Sequence, residues 1–176
     1  MEVSAQVLVQ DAIAGDEQAF VRLVEPLLPA AYRLAVGMLR NDSEAEDAVQ
    51  EAVFKAWRSF GRFRRDSELR PWLFTIVANE CRRQRRSPWW NVIKGPGDIE
   101  RRAERQAPID PATEDLRLAL YRLPHDQRLV VILRYYLDLP FKEVAQTLGI
   151  STKAAKSRTY RALERLRLSP EELTDE

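Results

Sequence analysis

The chain has 176 residues and a net charge of +1, room for one or two small domains. Its one cysteine, Cys81, rules out an internal disulfide and a cysteine metal site, and its one histidine, His125, rules out a histidine cluster. No metal or cofactor is therefore expected. No apolar run is long enough to cross a bilayer and the first residues lack a basic-then-apolar leader, so a cytoplasmic protein without membrane insertion is expected.

The near-neutral total hides segregation. Residues 1–51 carry ten acids against three bases, residues 52–106 six acids against fourteen bases, and residues 151–167 one acid against six bases. Two separated basic patches suit a polyanion such as DNA, although exposed arginines on a helical surface are the plainer reading of charge alone.

In chain order, Val3 to Ala14 reads as a first helix, broken at Gly15, with Asp16 placed to cap the next. Gln18 to Glu25 is helical, and Pro26 and Pro29 permit a bend before the helix Leu28 to Leu39. That helix puts Tyr32, Ala35, Val36 and Leu39 on one face. Residues 40–43 form the turn before a long acidic helix. There Val49, Ala52, Val53, Ala56, Trp57 and Phe60 make the buried stripe, and Asp47, Gln50, Glu51 and Arg58 face away from it. After a loop, Asp66 and Ser67 are capping candidates for a second helix with Pro71 near its first turn. Trp72, Leu73, Ile76, Val77 and Cys81 give it an apolar stripe, and it ends in Arg82, Arg83, Arg85 and Arg86. An acidic face and a basic helix thus lie side by side, which suggests two partners.

The helical period dissolves after Ser87. Residues 88–112 are rich in proline and glycine and read as a flexible linker, with Trp89 and Trp90 as anchors on the domain or on a partner. Helices follow at 111–123 and from His125, whose core stripe is Val130, Val131, Leu133 and Leu137. Residues 140–166 then have the form of a helix-turn-helix. Val144, Ala145 and Leu148 face the core, Gly149 allows the turn, Ile150 plugs it and Ser151 caps the last helix. In that helix Ala155, Thr159, Ala162, Leu163 and Leu166 share one arc. Lys153, Ser157, Tyr160, Arg161 and Glu164 share the opposite one. A basic outer face after such a turn is the geometry that enters a major groove; an ordinary helical hairpin is the alternative. No segment alternates like a strand. The expected fold is all-α: two small helical domains, 1–87 and 113–176, joined by the linker 88–112.

These segments resemble the extracytoplasmic-function (ECF) sigma factors of bacterial RNA polymerase. AGDEQAF at 14–20, EDAVQEAVFKAW at 46–57, FRRDSELRPWLFTIVANECRR at 63–83 and the stretch 123–167 occur in the order that family has. The resemblance implies a region 2 domain over 1–87 and a region 4 domain over 113–176. It implies docking of Asp47, Gln50 and Glu51 on the β′ clamp helices of core polymerase, with the β subunit as further partner. Asn79, Phe63 and Phe74 would open the −10 element and capture an unstacked base. Arg82, Arg83, Arg85 and Arg86 would hold phosphates. Lys153, Lys156, Ser157, Arg158, Tyr160 and Arg161 would read the −35 element. Promoter DNA and an anti-sigma factor are the other implied partners. Pro71, Glu80, Arg65 and the pair Ala154-Ala155 depart from the family pattern.

Two other readings compete. A helix-turn-helix repressor or activator would use the acidic helix 44–60 as a dimer face. An enzyme would need clustered carboxylates or a nucleophile beside a base. The acids Asp42, Glu44, Glu46, Asp47 and Glu51 look instead like a docking face, and Cys81 lies in an apolar stripe.

Overall fold

The computed structural model describes residues 5–39, 41–86 and 111–167, and these form helices throughout, with no strand among them. The first domain holds α1 (Ala5–Ile13), α2 (Glu17–Val24), α3 (Leu28–Leu39), α4 (Asp42–Ser59) and α5 (Leu69–Arg86). The second holds α6 (Pro111–Arg122), α7 (His125–Val131), α8 (Phe141–Leu148) and α9 (Thr152–Arg167). The expected linker, with Trp89 and Trp90, lies outside the described residues except for its last two positions, which already belong to α6.

Local chemistry sets the boundaries. Asp16 caps α2 by accepting from the Ala19 amide at 3.1 Å, and Asn41 caps α4 by accepting from Glu44 at 2.9 Å. Pro26 sits in a 3-10 turn, Glu25–Leu27, that bends the chain between α2 and α3. Gly149 is left-handed, with φ 65°, and Ser151 accepts from the Ala154 amide at 3.1 Å. Asp66 is not free for capping: it pairs with Arg64.

The stripe of α4 is narrower than its pattern predicts. Ala45, Ala48, Ala52 and Ala56 are fully buried, while Val49, Val53 and Trp57 are only partly so. Small side chains let α3 and α5 approach α4 closely, and the larger residues flank the seam. One core lies between α1, α2, α4 and α5, around Phe20, Trp57, Phe60, Phe63 and Trp72. The other runs through both domains: Leu34, Met38, Phe74 and Val77 from the first join Leu129, Val130, Leu133 and Val144 from the second.

The domains therefore pack against each other, α5 along α8 and α3 against α7 and the π-helical turn Ile132–Tyr136. Gly37 makes this possible, since a Cβ there would lie 2.9 Å from Ile132 Cδ1.

Candidate nucleic-acid and protein interfaces

The outer face of α4 carries the first candidate site. Asp47 and Gln50 are exposed, but Glu51 is half-buried and leans toward Lys55, 3.7 Å away. The face is not only polar. Phe54 is 54% exposed and, with Val21, borders an open groove of about 440 Å³ floored by Phe20, Val49, Val53 and Trp57. The signal was present in the sequence, because Phe54 lies four residues after Gln50 and seven after Asp47, on their arc.

The helix α5 departs further from expectation. Asn79 is exposed, but Phe63 and Phe74 are buried. Phe63 stacks on Phe60 at 5.0 Å and meets Trp72 edge-on at 5.0 Å, and Phe74 is enclosed in the core between the domains. Pulling a buried phenylalanine out of its core forfeits about 3–5 kcal/mol, whereas a stacked base returns about 1–3 kcal/mol. Core packing wins, and both side chains are structural in this state.

Glu80 is also buried, and is held by Lys55 at 2.5 Å and Arg83 at 2.8 Å. Burial alone would raise its carboxyl, but the two cations outweigh that and keep it below the usual range. Its departure from the family pattern thus has a partner: an acid where Lys55 needs one.

Several other polar groups of α5, and Glu68 just before it, face the second domain. Arg70 grips Glu143 with two hydrogen bonds, Nε to Oε2 at 2.6 Å and Nη2 to Oε1. Thr75 Oγ1 donates to the Thr147 carbonyl at 2.9 Å, and Lys142 reaches back to Glu68 at 2.6 Å. Arg82 donates to Asp126 and lies 3.3 Å from His125 Nδ1, and Arg158 reaches the same carboxylate at 3.3 Å. Of the four arginines assigned to phosphates, Arg82 is thus committed across the domains and Arg83 to Glu80, leaving Arg85 and Arg86 without a carboxylate partner among the described residues.

Arg128 ties this together. It is fully buried, which its position in the α7 pattern does not announce. Its guanidinium donates to the carbonyls of Leu120, at 2.9 Å, Tyr121 and Leu123, at 3.1 Å, and crosses to Met38 at 3.1 Å. It lies over the Tyr121 ring, 4.2 Å from the centroid. One fixed fork of donors therefore caps the C-termini of α6 and α3 at once.

The last candidate site is open. Ala155, Thr159 and Ala162 of α9 are buried; Lys153, Lys156, Ser157, Tyr160 and Arg161 are exposed, and Tyr160 is among the most exposed large side chains. Arg158 alone among the six turns inward, to Asp126.

The chain is similar to known proteins over most of its length. The family model for Sigma-70 region 2 matches residues 23–91, and that for Sigma-70 region 4 matches 113–166. The ECF RNA polymerase sigma factor SigM of Mycobacterium tuberculosis is 34% identical over 154 residues, covering 88% of this chain and 78% of the relative. RNA polymerase sigma-H factor of Pseudomonas aeruginosa is 30% identical over 174 residues, covering 90% of each. Among solved structures, the sigma factor RpoE of Bartonella quintana in complex with the anti-sigma factor NepR matches with TM-score 0.62 at 30% identity, covering 89% of this chain and 98% of that one. CnrH in complex with the cytosolic domain of CnrY shares the fold, with TM-score 0.70 at 24% identity over 93% and 95% of the two chains. With both region models in order over most of its length, and relatives matched nearly end to end, the chain belongs to the ECF sigma factors.

Proposed function

We propose that this chain is the promoter-specificity subunit of an RNA polymerase holoenzyme, with its sites divided as follows. Region 2, residues 1–87, docks through Asp47, Gln50 and Glu51 on the β′ clamp helices, and the groove beside Phe54 extends that surface. Asn79 contacts the opened −10 element, and Arg85 and Arg86, with Arg82 and Arg83 once released, hold its phosphates. Region 4, residues 113–176, meets the β subunit and reads the −35 element through Lys153, Ser157, Tyr160 and Arg161. Lys156 and Arg158 flank them on phosphates. The chain performs no chemistry; binding to single strands offsets unstacking, a few kcal/mol per base. The likeness to RpoE bound to NepR supports an anti-sigma factor as a partner. No helix among the described residues is long and apolar enough to cross a membrane, which fits work beside polymerase in the cytoplasm.

The observation that carries this reading is the exposed basic face of α9 after the Gly149 turn, in a chain where both sigma regions occur in order. The packed domains bear on how it works. The −10 and −35 elements lie about 25 base pairs apart, roughly 85 Å of B-DNA. A packed chain of this size is roughly 40 Å across. The contacts between α5 and α8 therefore separate at a promoter, and the segment 87–110, fully extended, spans at most roughly 80 Å.

The test is run-off transcription with core polymerase on templates randomised in both elements. Transcripts that depend on the chain and share paired −10 and −35 sequences are expected. Initiation unchanged by its addition would overturn the reading. Asp47→Lys combined with Glu51→Lys is expected to weaken core binding with helical content intact.

A further inference from the structure

The seam between the domains holds a basic cleft in which arginines assigned above to −10 phosphates meet Arg122 and His125 of the second domain, a convergence that promoter recognition does not require. Arg82, Arg85 and Arg86 line it from the last turns of α5, and Tyr121, Arg122 and His125 line it from α6 and α7, around about 410 Å³. Among the described residues, Arg82 alone of these guanidiniums has a carboxylate, Asp126, which it shares with Arg158. Arg85 lies 5.7 Å from the centre of the Tyr121 ring, and among the described residues Arg85, Arg86 and Arg122 meet no acid. The sequence supplies none nearby, since residues 81–97 contain no aspartate or glutamate. Cations at helix C-termini are favourable one by one. That accounts for Arg86 and for Arg122, but not for their convergence across a seam, where like charges repel.

His125 marks the same place. Its Nε2 is buried without a hydrogen-bond partner. Its Nδ1 lies 3.3 Å from both Arg82 and Asp126, so in either tautomer Nε2 is a buried polar atom with no partner among the described residues.

We propose that this cleft binds an oligophosphate, a ligand presenting two or three linked phosphates such as the tail of a nucleoside polyphosphate, and that the bound anion holds the domains closed. Guanidinium forks match phosphate oxygens two at a time. Arg85 and Arg86 each stand about one helical turn from Arg82, about 5–6 Å between Cβ atoms, so a chain of phosphates fits the three better than one. The volume suits a small ligand. Because Arg122 comes from the second domain, occupation links closure to the ligand. A further consequence, resting on the reading of α5 as a DNA-contacting helix, is competition between this ligand and −10 DNA for the same arginines.

The experiment titrates the full chain with inorganic tripolyphosphate, with orthophosphate and sodium chloride at matched ionic strength as comparisons. Thermal midpoint, radius of gyration and the His125 NMR titration are the readouts. The ring is held neutral, its pKa pushed down to about 4, by burial first and then by Arg82 and Arg85. An anion in the cleft raises it. Saturable stabilisation by tripolyphosphate, at least tenfold weaker with orthophosphate, is expected, with a rising His125 pKa and no expansion. Arg122→Gln should weaken it about tenfold, while Arg22→Gln, an exposed charge on α2, should not. Equal effects of the two variants, or stabilisation that follows ionic strength alone, would overturn the site. Arg122 lies outside α5, so retained −10 DNA binding by Arg122→Gln separates failure of the cleft from failure of the DNA reading.

Discussion

The two helices proposed to meet DNA, α5 and α9, carry comparable numbers of cations but differ in freedom. On α5, Arg70, Arg82 and Arg83 are bound to carboxylates, Thr75 donates to the second domain and the nearby aromatics are core. On α9, five of six assigned side chains are exposed and, among the described residues, partnered by nothing stronger than a 3.4 Å contact between Arg161 and Ser157 or the Phe141 face beneath Lys156. On the proposed assignment of the two helices, the difference means that the packed chain presents a finished −35 reader and a partly occupied −10 reader. On that reading the −35 contacts are available before the domains part, and the Arg82 contact to −10 DNA only after.

The most severe way to break this contrast is at Arg128. Arg128→Met strands four carbonyls that its guanidinium satisfies, in both domains. A loss of about 3–5 kcal/mol is expected in urea unfolding of the full chain. Arg128→Lys is expected to recover little, since one ammonium cannot reproduce the fork. A midpoint within error of the parent would show that the two helix ends need no shared cap.

His125 gives a pH dependence. The unfolded ring, with a pKa near 6.5, takes up a proton that the folded ring refuses until about pH 4. Between those values the unfolded state binds more protons, so stability is full above pH 6.5 and falls as pH drops toward 4, by up to about 3 kcal/mol. Glu80 and Asp126, both held below the usual carboxylate range against the effect of burial, lose their contribution below that window as they protonate. His125→Gln should flatten the slope between pH 6.5 and 5 in thermal melts; an unchanged slope would place the titration elsewhere.

A gentler change opens the domains without unfolding them. Gly37→Leu sets a side chain against Ile132, where even a Cβ lies at 2.9 Å, while α3 itself gains helix propensity. Removal of the Arg70–Glu143 pair is expected to shift closure by about 1–2 kcal/mol, bidentate geometry being offset by partial exposure. Both variants should enlarge the radius of gyration and raise affinity for single-stranded −10 DNA. The charge reversal Arg70→Glu with Glu143→Arg should restore the parent value. Compaction that persists in every variant would show that the domains are held by the apolar core alone.

How legible was this in the sequence? The helix-turn-helix was readable to the residue, because a left-handed glycine, a serine cap and a one-sided apolar stripe are local devices. The helices of the first domain were readable from period. What escaped was relative: which of two apolar faces is innermost, and which charges meet across domains. Alanines rather than valines fill the α4 seam because helix separation decides burial there. Phe63 and Phe74 look like base-stacking candidates in one dimension and are core in three. Arg128 carries no mark of its role in the sequence, because the carbonyls of Met38 and Leu120 that surround it come from other helices. Arg70 and Glu143 are 73 residues apart, and no local pattern links them.

The smallest effects belong to the free helix, and they sharpen the contrast most directly. Lys153, Ser157 and Arg161 lie about one turn apart on the arc opposite Ala155, Thr159 and Ala162, with Lys156 beside them. On the reading proposed here, Arg161 reaches a base edge and Lys156 a phosphate. Arg161→Ala should cost about 1–3 kcal/mol against the preferred sequence and relax choice at one position of the −35 element. Lys156→Ala should weaken every sequence alike and lower the salt slope by about one. Selection on randomised −35 DNA at two salt concentrations distinguishes them. Because this face is already exposed in the packed chain, Gly37→Leu should leave −35 affinity as it is while raising −10 affinity. A variant that opens the domains and changes both equally would show that α9, too, is restrained by the packing, and the division into a finished and an occupied reader would fall.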